Sequence, residues 1–160
     1  MPNELKKVDH SALRINQAFI IAFLVLGFLL NAPLIVALVA LAMLVGTAFK
    51  RPGFGPFYTN VLKPLGWVRP EVLNDNPEPH RFAQGFGGVV LVIAVLGFVL
   101  GSTVAGWALT WLVIALAALN LFAGFCTGCA VYYWLHQLNA PGFVKAPPPN
   151  TFPGMRPKER

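Results

Sequence analysis

The only two cysteines of the chain stand three apart, in Cys126-Thr127-Gly128-Cys129. On a helix, positions i and i+3 share a face, so the two thiols can meet. That spacing suits thiol–disulfide exchange or half of a metal site. A complete metal site wants a second cysteine pair or two histidines close by. His136 is the nearest in sequence, and His10 and His80 are expected on the same side of the molecule. No metal and no resident cofactor is expected from this pattern. Redox chemistry meets one difficulty. A reactive pair gains thiolate character at a helix N-terminus. This pair falls near the end of the last apolar run, where the helix dipole disfavours an anion. Arg14, Arg81 or Lys50 would supply the missing positive potential. So would a break at Gly128 that makes Cys129 the start of a new helix. The plain alternative is two small apolar residues packed in a membrane helix.

A second set of residues is notable for its setting. Arg14, Asn16, Gln17, His80, Arg81, Gln84 and Asn120 are polar yet lie at or inside the ends of long apolar runs. Polar groups at membrane depth are expensive and face a protein interior or a cavity. Arg14, Gln17, His80, Arg81, Gln84 and Asn120 are therefore candidate binding residues, for an anion or a sulfur species. The competing reading is interhelical hydrogen bonding with snorkelling arginines. No glycine-rich phosphate loop, His-Glu-x-x-His or nucleophile elbow is present.

The elements that must position these residues follow from composition. Of 160 residues, 56% are hydrophobic and 11% are charged, against roughly 45–50% and about 25% in soluble domains. An ordinary soluble globule and a disordered chain are both excluded, and an integral membrane protein remains. The net charge of +6 does not mark a nucleic-acid surface. The cations fall in three blocks: Lys6, Lys7 and Arg14; Lys50, Arg51, Lys63, Arg69 and Arg81; and Lys145, Arg156, Lys158 and Arg160. Such blocks stay on the cytoplasmic side of a membrane.

Two uncharged runs separate the blocks, residues 15–49 and 82–144. As one helix the first would be roughly 50 Å long, against a hydrocarbon core of about 30 Å. It must therefore fold back or kink. Asn31-Ala32-Pro33 marks the place, since Asn caps helices and Pro opens them. Helices are predicted over about 15–30 and 33–49, with a single Pro-kinked helix as the alternative. The second run is divided by Gly101-Ser102-Thr103 into helices over about 82–100 and 103–125 or beyond. The predicted fold is all-α: a polytopic membrane protein of four transmembrane helices in two repeated hairpins, with both termini cytoplasmic. Its divisions are an N-terminal segment 1–14, hairpin 15–49, cytoplasmic loop 50–81, hairpin 82–138 and a disordered Pro-rich tail 139–160. Within the loop, Phe57, Tyr58, Val61, Leu62 and Leu65 recur at helical spacing before Trp67, as in an amphipathic segment on the membrane surface. A cleaved signal fits poorly, because Leu30 and Pro33 would flank the cut at Ala32.

The halves also resemble each other. Arg14-Ile15-Asn16-Gln17-Ala18-Phe19 lines up with Arg81-Phe82-Ala83-Gln84-Gly85-Phe86. Leu26-Gly27-Phe28 lines up with Leu96-Gly97-Phe98 after a three-residue shift. Duplication of a two-helix unit gives a parallel repeat about an axis along the membrane normal.

Residues 9–19, the segment Glu78-Pro79-His80-Arg81-Phe82-Ala83-Gln84, and Asn120 through Cys129 with its Gly-Phe-Cys-x-x-Cys element resemble the bacterial domain-of-unknown-function family numbered 4395. The resemblance covers about residues 9–133. It implies a small integral protein of the bacterial inner membrane with no established activity, and modestly favours thiol or sulfur chemistry. Three functions are then in view. The first is thiol–disulfide exchange or sulfur handling by Cys126 and Cys129. His80 or Arg81 would stabilise the thiolate, and a cytoplasmic thioredoxin-like or sulfurtransferase protein would be the partner. The second is a transporter for a small anion or sulfur compound, oligomerising to widen its path. The third is a structural subunit of a membrane complex. Each has the lipid bilayer as a partner, and none involves nucleic acid.

Overall fold

The computed structural model describes residues 5–157. A short strand β1 (Lys6–Asp9) leads into α1 (His10–Leu29), and α2 (Pro33–Ala48) follows. One turn of helix, α3 (Gly55–Phe57), continues into a π-helical turn over Tyr58–Leu62. Strand β2 (Val72–Asp75) then leads into α4 (Pro77–Val99), α5 (Thr103–Ala123) and α6 (Thr127–Gln137). β1 and β2 pair antiparallel, with Lys6 opposite Asp75 and Asp9 opposite Val72. The molecule is predominantly helical, and the strand pair was not foreseen. Four residues with no alternation of apolar and polar side chains leave no strand pattern to read.

Both long entering helices start earlier than hydropathy predicts, at residues 10 and 77 rather than about 15 and 82. Capping decides this. The Asp9 carboxylate accepts the N–H groups of Ser11 and Ala12, satisfying donors that a helix start leaves orphaned. Asn76 is the N-cap of α4 and Pro77 is its first residue, where a missing N–H does no harm. The consequence is functional: His10 and His80 belong to the opening turns of helices and not to flexible flanks.

Residues 15–49 turn back on themselves, so the single kinked helix is excluded. The turn is tight. Leu30 N–H bonds to Leu26, Asn31 to Phe28 and Ala32 to Gly27, and in the second hairpin Leu100 bonds to Leu96, Gly101 to Phe98 and Ser102 to Gly97. Asn31 (φ 49°) and Gly101 (φ 82°) hold equivalent left-handed positions in these turns. Three helices, α1, α4 and α5, are long and apolar enough to cross a membrane, while α2 is apolar but shorter. Buried aliphatic residues from all four, among them Leu24, Val36, Leu91 and Ile114, form one core. The outer faces carry exposed side chains such as Leu34, Leu41, Val99 and Phe122. Contiguous apolar surface of this kind suits a bilayer.

The middle loop is anchored by Tyr58, whose hydroxyl donates to Asp9 at 2.9 Å. Burial, then that hydrogen bond, pushes the Tyr58 hydroxyl up to about 12. Its apolar neighbours Phe57, Leu65 and Trp67 stay exposed. Among its described residues the Pro-rich tail forms no helix, but it is held in place. Phe125 and Met155 form an antiparallel bridge, Asn76 donates to the Ala146 carbonyl at 2.9 Å, and Phe143 packs against Phe82 and Tyr132.

Candidate functional site

The cysteine pair sits at a helix start. α5 ends at Ala123, and Gly124 (φ 66°) takes the left-handed conformation that lets the chain leave the helix. Cys126 is the N-cap of α6, and its Sγ accepts the N–H of Cys129 at 3.2 Å. The break therefore falls before the pair, at Gly124, and not at Gly128. The expected difficulty is removed, since the N–H groups of α6 now favour a thiolate. Gly128 has a different role. A Cβ there would lie 2.5 Å from the Ala83 Cβ, so only glycine lets α6 lie this close to α4.

That close approach delivers Cys129 to His80. Cys126 and Cys129 are joined in a disulfide and both are buried. His80 Nδ1 lies 3.5 Å from Cys129 Sγ. On the other side of the ring, His80 Nε2 lies 2.9 Å from Asp75 Oδ2. His10 Nε2 is 3.1 Å from the same oxygen, and the two imidazoles meet edge to face at 5.6 Å. Burial pushes the Asp75 carboxyl up, but contacts from His10 and His80 and the N–H of Asn76 outweigh it. The net effect holds it well below the usual carboxylate range. An ionised Asp75 requires a proton on His80 Nε2. In neutral His80 the lone pair is then on Nδ1, facing the sulfur. The result is a sulfur–imidazole–carboxylate chain resembling other base-assisted nucleophile sites. Two sets, His80 with Cys126 and Cys129, and His10 with Asp75 and His80, also bring their ligand atoms within 4.8 Å of one another. The first could ligate a metal only with the disulfide reduced.

Of the two buried cysteines, Cys126 is the one that borders open space. It lines a cavity of about 510 Å³ with His10, Arg14, Glu71, His80, Asn120 and Arg156. It also lines a narrower cleft of about 90 Å³ that runs between α1, α4 and α5. Cys129 lines neither. The tail crosses the wide cavity. Cys126 N–H donates to Gly154 at 2.7 Å, Arg156 N–H donates to Gly124 at 3.1 Å, and Arg156 pairs with Glu71.

The residues singled out from sequence divide. Cys126, Cys129 and His80 converge, and Arg14, Gln17 and Asn120 line the wide cavity beside them. Gln84 lines the narrow cleft with Cys126, Gln17 and Asn120, but its side chain is already engaged. Its amide donates to the Met43 carbonyl at 2.9 Å and accepts from Asn16, tying α2 and α1 to α4. Arg81 lines a separate hollow with Lys7, Lys50 and Arg51, so the two arginines line different cavities, whereas Gln17 and Gln84 share the narrow cleft. Sequence reasoning missed Asp75. The signal was the Asn74-Asp75-Asn76-Pro77 run, a helix-start signature that places His80 on the first turn beside its own preceding carboxylate.

A family model described as Domain of unknown function (DUF4395) matches residues 8–137. No curated protein and no solved structure matches the chain.

Proposed function

The chain belongs to the DUF4395 family, whose description carries no activity, and we propose that its site performs thiol–disulfide exchange at the edge of a membrane. The observation that carries this reading is a cysteine pair at a helix N-terminus, with an imidazole–carboxylate pair behind the inner sulfur. A partner thiolate attacks Cys126 Sγ from the wide cavity. The Cys126–Cys129 bond breaks and Cys129 leaves with the electron pair, beside His80 Nδ1, while the first amides of α6 face Cys126 Sγ. The second partner thiol, as thiolate, then attacks the partner's own sulfur in the mixed disulfide and releases Cys126. The partner loses two electrons and two protons, and the pair gains them, one proton reaching Cys129 through His80 Nδ1. In the reverse direction the same nitrogen removes the Cys129 proton.

The membrane setting is the one expected from charge. α2 is taken as a fourth, thinner crossing, completing two hairpins whose uncharged turns lie at the far end. The strand pair, the cysteines, the tail and the basic residues then share the cytoplasmic end. There a disulfide is transient and catalytic, not structural. The identical hydrogen bonds of the two turns support duplication of a strand–hairpin unit. The fitting partner is a small soluble dithiol protein of the thioredoxin type. An anion transporter is less well served, because Arg14 and Arg81 line different cavities. The test is the reduction potential of the pair together with trapping by Cys129→Ser. A potential in the exchange range of roughly −120 to −270 mV and a mixed disulfide on Cys126 are expected. A pair inert to thioredoxin that traps nothing overturns the proposal.

A further inference from the structure

We infer that the narrow cleft beside Cys126 receives the ring of a lipid-soluble quinone, which takes the electrons of the reduced cysteine pair; this rests on the exchange reading above. The cleft starts at Cys126 and Thr127 and runs inward between α1, α4 and α5 past Ile20, Val113 and Leu116. No charged residue lines it, so it is not built for an anion. Phe86 and Leu112 at its rim are 55% and 48% exposed, on helices apolar enough to face lipid. A ligand can therefore enter from the bilayer.

The cysteine end is polar in a way an acyl chain would not satisfy. Thr127 Oγ1 is buried without a hydrogen-bond partner. The side-chain amides of Gln17 and Asn120 have no partner among the described residues. An unpaired donor buried in an apolar wall is costly, and Thr127 Oγ1 is one, lining the cleft together with Cys126, Gln17 and Asn120. A flat ring with two carbonyl oxygens and an apolar tail satisfies these donors, fits the dry walls and accepts two electrons at once, the number a dithiol releases.

The chemistry balances. His80 Nδ1 takes the proton of Cys129, and the proton of Cys126 passes to solvent in the wide cavity. The Cys126 thiolate adds to a ring carbon of the quinone. The Cys129 thiolate attacks Cys126 Sγ, so the sulfur–sulfur bond forms, the sulfur–carbon bond breaks and its electron pair stays on the ring. The two ring oxygens take up one proton from His80 and one from solvent. One dithiol and one quinone become one disulfide and one hydroquinone.

The experiment uses the full chain, reduced and freed of reductant, in lipid vesicles with a ubiquinone carrying a ten-carbon tail. Quinone absorbance and free thiols are followed together. One hydroquinone per lost thiol pair is expected, with a rate that saturates in quinone. Thr127→Val should raise the half-saturating quinone concentration about tenfold, the worth of one buried hydrogen bond, and Thr127→Ser should restore it. A rate that stays linear in quinone and ignores Thr127→Val overturns the inference. A pair that exchanges with a dithiol protein but gives no hydroquinone overturns it too, and leaves the exchange function standing. A pair inert to both removes both.

Discussion

Asp75 holds the site's electrostatics together, because one buried carboxylate oxygen faces two imidazoles. Its folded-state value lies below the ordinary one. The stability it contributes is therefore complete above the unfolded value of about 4 and is lost as pH falls below that. Thermal unfolding between pH 5 and pH 3 should show a steeper loss in the wild type than in Asp75→Asn. Equal slopes would mean the carboxylate is not held by its histidines. His80 is the group that Asp75 positions. His80→Ala should slow reduction of the disulfide by a dithiol peptide roughly 10²-fold, the usual worth of a positioned acid–base group, and flatten its pH profile. An unchanged profile in stopped-flow traces would remove His80 from the mechanism. The cysteines and His80 were legible from residue type alone. Asp75 was not, because a carboxylate in an acidic loop reads as solvated until the helix start behind it is recognised.

Among the elements, the hairpin turns were legible and the α5–α6 break was not. Asn31-Ala32-Pro33 and Gly101-Ser102-Thr103 combine a left-handed residue with a helix starter, which is local chemistry, although the N-cap of α2 is Ala32 and not the expected Asn31. Gly124 stands in an apolar run within a chain of 15 glycines. The chain just beyond it is held by an isolated bridge from Phe125 to Met155 in the tail, a contact distant in sequence. The close packing of α6 on α4 is equally nonlocal, and it makes a sharp prediction. Gly128→Ala would place a methyl 2.5 Å from the Ala83 Cβ, so α6 must lift away. Overpacking of this kind costs about 1–3 kcal/mol and would separate Cys129 from His80. Adding Ala83→Gly should recover most of both the melting temperature and the exchange rate, a coupling expected only of residues in contact. Additive losses in the double variant would mean that α6 is positioned elsewhere.

At the scale of the whole molecule, charge and site share one end. The turns at 30–32 and 100–102 carry no charge, whereas Lys6, Lys7, Lys50 and Arg51 lie near the strand pair. Composition alone made this asymmetry readable. What composition hid is that the tail, whose prolines read as disorder, closes the site. Proline forbids regular elements but not docking, and the prolines keep the tail extended enough to reach from α6 back to Glu71. Gly154 (φ 87°) tolerates no side chain, since a Cβ would meet the Ala130 Cβ at 2.8 Å and the Cys126 carbonyl at 2.9 Å. A protein partner approaching Cys126 must therefore displace this strap, while a small thiol need not displace all of it. Ending the chain at Ala140 should speed mixed-disulfide formation with a thioredoxin-type protein by about tenfold or more, since two backbone hydrogen bonds and an ion pair no longer hold the strap closed. Reaction with a small thiol should change less. Measuring both rates on the full-length and shortened chains separates the outcomes. Equal acceleration would mean the tail only covers the cavity, and no acceleration would mean the partner reaches the disulfide by another face.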